Sequence, residues 1–165
     1  MKRIGALAAL ALTLSGCGLH PLYSGGGSGT VAMTLTQVDV APIEGKAGWL
    51  MANALRDRLH AGDTPRYRLE IKLDDQIVGL GVNRDNSISR ERRTLRARYQ
   101  LVDLSNGAVL LDATARSDAG IDAVTSEYAT IAAENTALER LSGTIADQIV
   151  ARVATYVQRT APDSR

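Results

Sequence analysis

Phenylalanine is absent from the 165 residues, and the other aromatics amount to one Trp and five Tyr. A hydrophobic core must therefore be assembled from Leu, Ile, Val and Ala. A single cysteine, Cys17, excludes an internal disulfide. The two histidines, His20 and His60, are far apart in the sequence, and no spacing of His, Cys, Asp and Glu matches a metal site. No nucleophile–base arrangement stands out, so the chain is read as a non-enzyme that needs no cofactor. Charge of either sign is in no excess: the formal net charge is +1, and without Lys2 and Arg3 the balance is 17 basic to 18 acidic side chains. Global electrostatics thus argue for neither a nucleic-acid binder nor a polybasic membrane protein. No apolar run reaches the roughly 20 residues that a bilayer-spanning helix needs.

What is there begins with an export signal. Lys2 and Arg3 precede the apolar and small residues of Ile4 to Leu14, and Leu14-Ser15-Gly16-Cys17 matches a lipobox. Small residues there suit a narrow peptidase pocket, and the thiol is the atom that accepts diacylglycerol. Residues 1–16 are therefore expected to be removed and Cys17 lipidated, which resolves the odd cysteine. Gly18 rather than Asp follows Cys17, which favours delivery to the outer membrane. Acyl chains on Cys17 would suffice for stable anchoring. Residues 17–30, with Gly25-Gly26-Gly27-Ser28-Gly29, form a tether. A phosphate-cradling loop is excluded because no Lys-Ser/Thr and helix follow.

The folded domain is expected over 31–160, with a frayed tail at 161–165. Val31, Met33 and Leu35 alternate with polar or small residues and predict a first strand, whose parity shifts at Val38 and Val40. Leu50, Met51, Ala54, Leu55 and Leu59 predict a helix that stops near Gly62. Tyr67, Leu69, Ile71 and Leu73 predict a second strand, and Gly79 to Ser87 a loop. Leu95, Ala97, Tyr99 and Leu101 share one face of a third strand. Arg90, Arg92, Thr94, Arg96, Arg98 and Gln100 share the other. Ser105-Asn106-Gly107 marks a hairpin, and Val109, Leu111, Ala113 and Ala115 the apolar face of a fourth strand. Gly120 to Thr125 reads as a loop. Ser126 caps a long final helix whose buried stripe is Ile131, Leu138, Leu141, Ile145, Ile149, Val153 and Tyr156, with Gly143 a kink or close-packing point. The order β-α-β-β-β-α predicts an α+β, two-layer sandwich: a four-stranded mixed sheet with two helices on one face and the other face open.

The informative chemistry is a run of arginines. Arg84, Arg90, Arg92, Arg93, Arg96 and Arg98 fall within 15 residues that contain only Asp85 and Glu91 as acids. Guanidinium forks suit phosphates and carboxylates. Two readings stay open: a solvated strand face paired across the sheet with Glu70 and Asp112, or a site for an anionic ligand. For an outer-membrane lipoprotein the most available such ligand is lipopolysaccharide.

Several motifs taken in order resemble the LPS-assembly lipoprotein LptE family in its alphaproteobacterial form. These are Leu14-Ser15-Gly16-Cys17-Gly18-Leu19-His20-Pro21-Leu22-Tyr23, Arg96-Ala97-Arg98-Tyr99-Gln100-Leu101 with Asp103 and Gly107, Ser126-Glu127-Tyr128-Ala129, and Ala132-Ala133-Glu134-Asn135. The resemblance spans nearly the whole chain. It implies the same sandwich and a non-enzymatic plug and assembly subunit of an LptD-type outer-membrane β-barrel. It also implies direct lipopolysaccharide binding by basic residues, carried over here to Arg90, Arg92, Arg93 and Arg96. The alternative is a periplasm-facing lipoprotein that scaffolds another envelope complex.

Overall fold

The structure, a computed structural model, describes residues 29–82, 88–122 and 126–160. The readings made on residues 1–28, among them Cys17 and its lipobox, and on Arg84 and 161–165 lie outside the described residues.

The first element corrects an expectation. Thr30–Leu35 is a helix, α1, and the first strand, β1, is only Val38–Val40. Val31, Met33 and Leu35 satisfy a strand period, but Val31 and Leu35 are also one helical turn apart, and these two are buried while Met33 is 52% exposed. Thr34 Oγ1 donates to Thr30 O at 2.8 Å, as helical threonines do. The parity shift at Val38 is thus the junction between a helix and a strand.

From β1 the chain crosses through α2 (Gly45–Leu59) to β2 (Tyr67–Val82), which runs parallel to β1 from Val38↔Tyr67 to Val40↔Leu69. Gly48 lets α2 sit against the preceding segment, since a Cβ there would come within 2.4 Å of Ile43 O. The helix ends at His60, which takes the left-handed conformation (φ 52°) and donates its N–H to Arg56 O at 3.0 Å. Gly62, the expected stop, instead donates to Thr36 O at 2.7 Å and ties this turn to the end of α1.

β2 and β3 (Ile88–Asp103) form a long antiparallel ribbon, paired from Tyr67↔Asp103 to Val82↔Ile88. Gly79 to Val82, expected in a loop, therefore belong to β2. The turn into β4 (Val109–Asp122) matches its sequence signal. Asp103 accepts from the Ser105 N–H at 2.8 Å and its hydroxyl at 2.6 Å, the Ala108 N–H donates to Asn106 Oδ1 at 2.9 Å, and Gly107 supplies φ +73°. β4 runs past Gly120, where a loop was expected, to Asp122.

α3 (Glu127–Thr160) spans 34 residues, with Ser126 Oγ accepting from the Ala129 N–H at 3.4 Å. Its buried stripe runs from Ala137 through Leu138, Leu141, Ile145, Ile149 and Val153 to Val157. Ile131, expected in that stripe, is 48% exposed, because the first turns of the helix precede the core. At Gly143 a side chain from α2 reaches the helix backbone: Arg58 donates to Gly143 O at 3.3 Å and holds Asp147 at 2.6 Å.

The sheet order is β1-β2-β3-β4. Leu69, Ile71, Leu95, Ala97, Tyr99 and Leu101 point to the helix side and form one core with residues of all three helices. Each fully buried aliphatic side chain contributes about 1.5–3 kcal/mol. The expected α+β sandwich is thus the observed one, with α1 as a third, short helix. Its other sheet face carries Arg90, Arg92, Arg96 and Arg98.

Candidate functional site

Strand alternation sends the side chains of Arg90, Arg92, Arg96 and Arg98 away from the helices. They stand on the open face beside Arg68, Glu70, Lys72, Asp74, Gln76, Val78 and Leu80 of β2 and the even-numbered residues of β4 from Asp112 to Asp122.

Local pairing accounts for part of this charge. Arg98 grips Asp112 with two donors at 3.3 and 2.9 Å, and Gln100 donates to the same carboxylate at 2.8 Å. These bonds hold the Asp112 carboxyl below its ordinary range. Arg90 reaches Asp122 at 3.1 Å, with both side chains well exposed.

Arg92 and Arg96 differ. Neither has an acidic partner within 4.0 Å among the described residues, and the same holds for Arg116 of β4. These three guanidinium groups line one shallow depression of about 390 Å³ with Asp74, Gln76, Thr94, Val78 and Leu80. Val78 is 54% exposed. The arrangement sets anion-binding forks beside an aliphatic wall, chemistry suited to an amphiphile with a phosphorylated head group. A second depression, of about 370 Å³, lies lower on the same face around Lys72, Glu70 and Arg98. There the Glu70 carboxylate and the commitment of Arg98 to Asp112 leave less free positive charge.

Arg93 is not brought to this group. It projects to the helix side, is 9% exposed, and binds Asp75 through Nε at 2.9 Å and Nη2 at 2.5 Å. Its Nη1 donates to Glu134 O of α3 at 2.9 Å. It ties the sheet to the long helix. Arg116 is the residue that sequence reasoning missed. It stands alone among Ala115, Ser117 and Asp118, and only the register, which sets it across from Arg96, joins it to the cluster.

Near Arg93, Glu91 has a buried Oε2 without a hydrogen-bond partner. Burial, followed by the nearby Glu134 carboxylate, raises its pKa. No group of three or more His, Cys, Asp or Glu side chains is placed to hold a metal among the described residues. No helix among them is long and apolar enough to cross a membrane.

The family model for lipopolysaccharide-assembly LptE matches residues 35–153, the whole span from the end of α1 to the last turns of α3. The chain belongs to the LptE family. Solved structures agree with the fold. A putative lipoprotein from Caulobacter crescentus CB15 superposes with a TM-score of 0.69 at 26% identity, covering 81% of this chain and 99% of that one. An uncharacterized lipoprotein B from Nitrosomonas europaea (TM-score 0.58, 15% identity, covering 73% and 83%) shares the fold. So does the rare lipoprotein B from Shewanella oneidensis (0.56, 11%, 74% and 95%). Among curated proteins none matches the chain. As an LptE-family member the protein is assigned to lipopolysaccharide assembly, and its structural neighbours are lipoproteins.

Proposed function

We propose that this LptE-family chain is the lipid-anchored plug and assembly subunit of the lipopolysaccharide export translocon. In this reading residues 1–16 are removed and Cys17 is acylated. Residues 17–30 tether the domain at 31–160 to the outer membrane, facing the periplasm. An LptD-type β-barrel is its partner, and lipopolysaccharide binds directly to the open sheet face. Its work is binding and positioning, without covalent chemistry.

The observation that carries the ligand part is the set of guanidinium groups of Arg92 and Arg96, without an acidic partner within 4.0 Å among the described residues, beside Val78 and Leu80. Arg90 adds charge at the upper end of the same strand, while Arg93 supports the face from behind. Charge-assisted bonds are each worth on the order of 1.5–3 kcal/mol, less at exposed sites. Replacing Arg92 and Arg96 together by Glu should weaken lipopolysaccharide binding at least tenfold, with the circular dichroism spectrum unchanged. Added salt should also weaken wild-type binding more steeply than that of the variant. Undiminished binding by the folded variant would refute the assignment of the site. The barrel partnership is tested separately, by extraction in mild detergent and mass spectrometry. Absence of a large barrel protein from the complex would favour the other reading, a lipoprotein that scaffolds a different envelope assembly.

A further inference from the structure

β1 covers only the lower part of the β2 edge: it has three residues, and β2 has sixteen. Tyr67 N–H donates to Gln37 O, and Ala41 N–H donates to Leu69 O, both at 3.0 Å, so odd-numbered residues of β2 turn their backbone groups toward β1. Ala41 is the last donor of that ladder, because Pro42 has no N–H to continue it. Farther along, Ile71, Leu73, Asp75, Ile77 and Gly79 present N–H and C=O groups outward, and no described backbone group bonds to them there. Their even-numbered neighbours are the ones hydrogen-bonded to β3. An open edge of this length is a template for another strand. The opposite edge, β4, carries Asp112, Asp118 and Asp122, charges of the kind that resist strand addition.

Two features beside the β2 edge fit an incoming strand. The first is a notch where β1 stops, the depression of about 370 Å³ that Ala41, Pro42, Ile71 and Lys72 help to line. Lys72 is exposed and has no acidic partner within 4.0 Å among the described residues. The second is a gap in the helix layer. α2 starts at Gly45, and Lys46 Nζ donates to Asn135 Oδ1 of α3 at 2.6 Å. Asn135 follows Glu134, whose carbonyl accepts from Arg93, the cross-strand partner of Ile77. α2 thus begins at about the level of Ile77, which is 41% exposed on the helix side.

We infer that an extended segment of the barrel partner adds to the sheet as a strand beside β2, continuing the line of β1 from Ile71 to Gly79. The inference rests on the barrel partnership proposed above and adds how the two proteins join. The segment meets the outward backbone groups with its own. It sets an acidic side chain by Lys72 on the open face and an apolar one against Ile77 on the helix side. A closed barrel has no strand edge to give, so the segment is a loop or terminal arm of that protein. Other occupants fit less well. Residues 17–28 of this chain hold Pro21 and a Gly-rich run, which suit strands poorly. A second copy paired over Ile71 to Gly79 would set Asp75 opposite Asp75 and leave Lys72 opposite Val78, without a counter-charge. Arg92 and Arg96, on β3, stay open to ligand.

The test is residue-resolved amide hydrogen exchange on the full chain in mild detergent, alone and with a co-expressed LptD-type barrel protein. With the barrel, the outward amides of Leu73, Asp75, Ile77 and Gly79 should exchange roughly tenfold or more slowly, and their even-numbered neighbours should change less. Ile77→Pro deletes one bond of the new ladder and none of the β2–β3 ladder. It should lower the barrel recovered roughly fivefold or more and spare lipopolysaccharide binding. Ile77→Val should recover as much barrel as wild type, and Lys72→Glu roughly threefold less. Absence of any barrel protein with wild type would overturn the partnership and this inference together. A barrel recovered while the four amides stay fast, or retained in full by Ile77→Pro or Lys72→Glu, would overturn the strand addition alone. So would an equal loss with Ile77→Val. Amides already slow without the barrel would also overturn it, in favour of residues 17–28 if independent of protein concentration and of a second copy if not.

Discussion

Arg93 clasps Asp75 with both prongs of its guanidinium group, on the side of the sheet opposite Arg92 and Arg96. The pair is largely enclosed, with 11% and 24% of the two side chains exposed. Neighbours in the chain thus have opposite duties: Arg92 meets solvent, and Arg93 joins β2, β3 and α3.

The first expectation concerns that division. Arg93→Ala removes the cation from Asp75 and the tie to α3, and should cost about 1–3 kcal/mol in urea unfolding. Arg92→Ala should stay within about 0.5 kcal/mol of wild type, as exposed substitutions generally do. Equal losses at the two positions would mean that the faces are misassigned.

Leu101 tests the core. It is 2% exposed and lies between Leu69 and Leu111 across the sheet. Leu101→Ala should cost about 2–5 kcal/mol through lost burial and a residual cavity. Thermal unfolding that stays at the wild-type midpoint would contradict the packing.

Glu91 should respond in the opposite sense. Its carboxyl titrates above the ordinary range, through burial first and Glu134 second, so the ionised form is the disfavoured one in the fold. Ionisation therefore removes stability as pH rises above the unfolded value of about 4.3. Glu91→Gln should raise the melting temperature at pH 7, and the gain should vanish below about pH 4, where the carboxyl is protonated in both states. A variant less stable than wild type at pH 7 would argue against this strain.

Acid should act through three other carboxylates. Asp103 is held low by the Ser105 hydroxyl and N–H, Asp112 by Arg98 and Gln100, and Asp147 by Arg58. A depressed folded pKa adds stability above the unfolded value of about 3.9, which is lost as pH falls through the lower folded values. Unfolding free energy should therefore drop as pH falls below about 4. Asp147→Asn should flatten part of that slope and loosen the α2–α3 contact.

The legible parts of the molecule were those where one period had no rival. Leu95 to Leu101 alternate so regularly with Arg and Gln that the two faces of β3 followed at once, and the open face with them. α1 was illegible because Val31 and Leu35 fit both a strand and a helical turn, and only the exposure of Met33 separates the two. Gly79 and the polar residues after it suggested a loop, yet pairing with Glu91 and Arg90 carries the ribbon onward. Tertiary pairing there overrides a weak local preference. The site was half legible. A run of arginines is visible, but its division between Arg93 and the others needs strand parity, and the placing of Arg116 needs the register.

The long ribbon also sets a height. α1 and β1 meet the sheet at the Tyr67 end, where Arg66 and Tyr67 bond Gln37. Arg96 stands level with Asp74 and Arg92 with Val78, seven and eleven residues farther along β2. At about 3.3 Å per residue, the guanidinium cluster lies roughly 23–36 Å beyond the point where the chain enters the sheet. The β2–β3 pair is thus a ruler. Whatever holds the chain before residue 29, the strand length fixes how far away a charged head group is met.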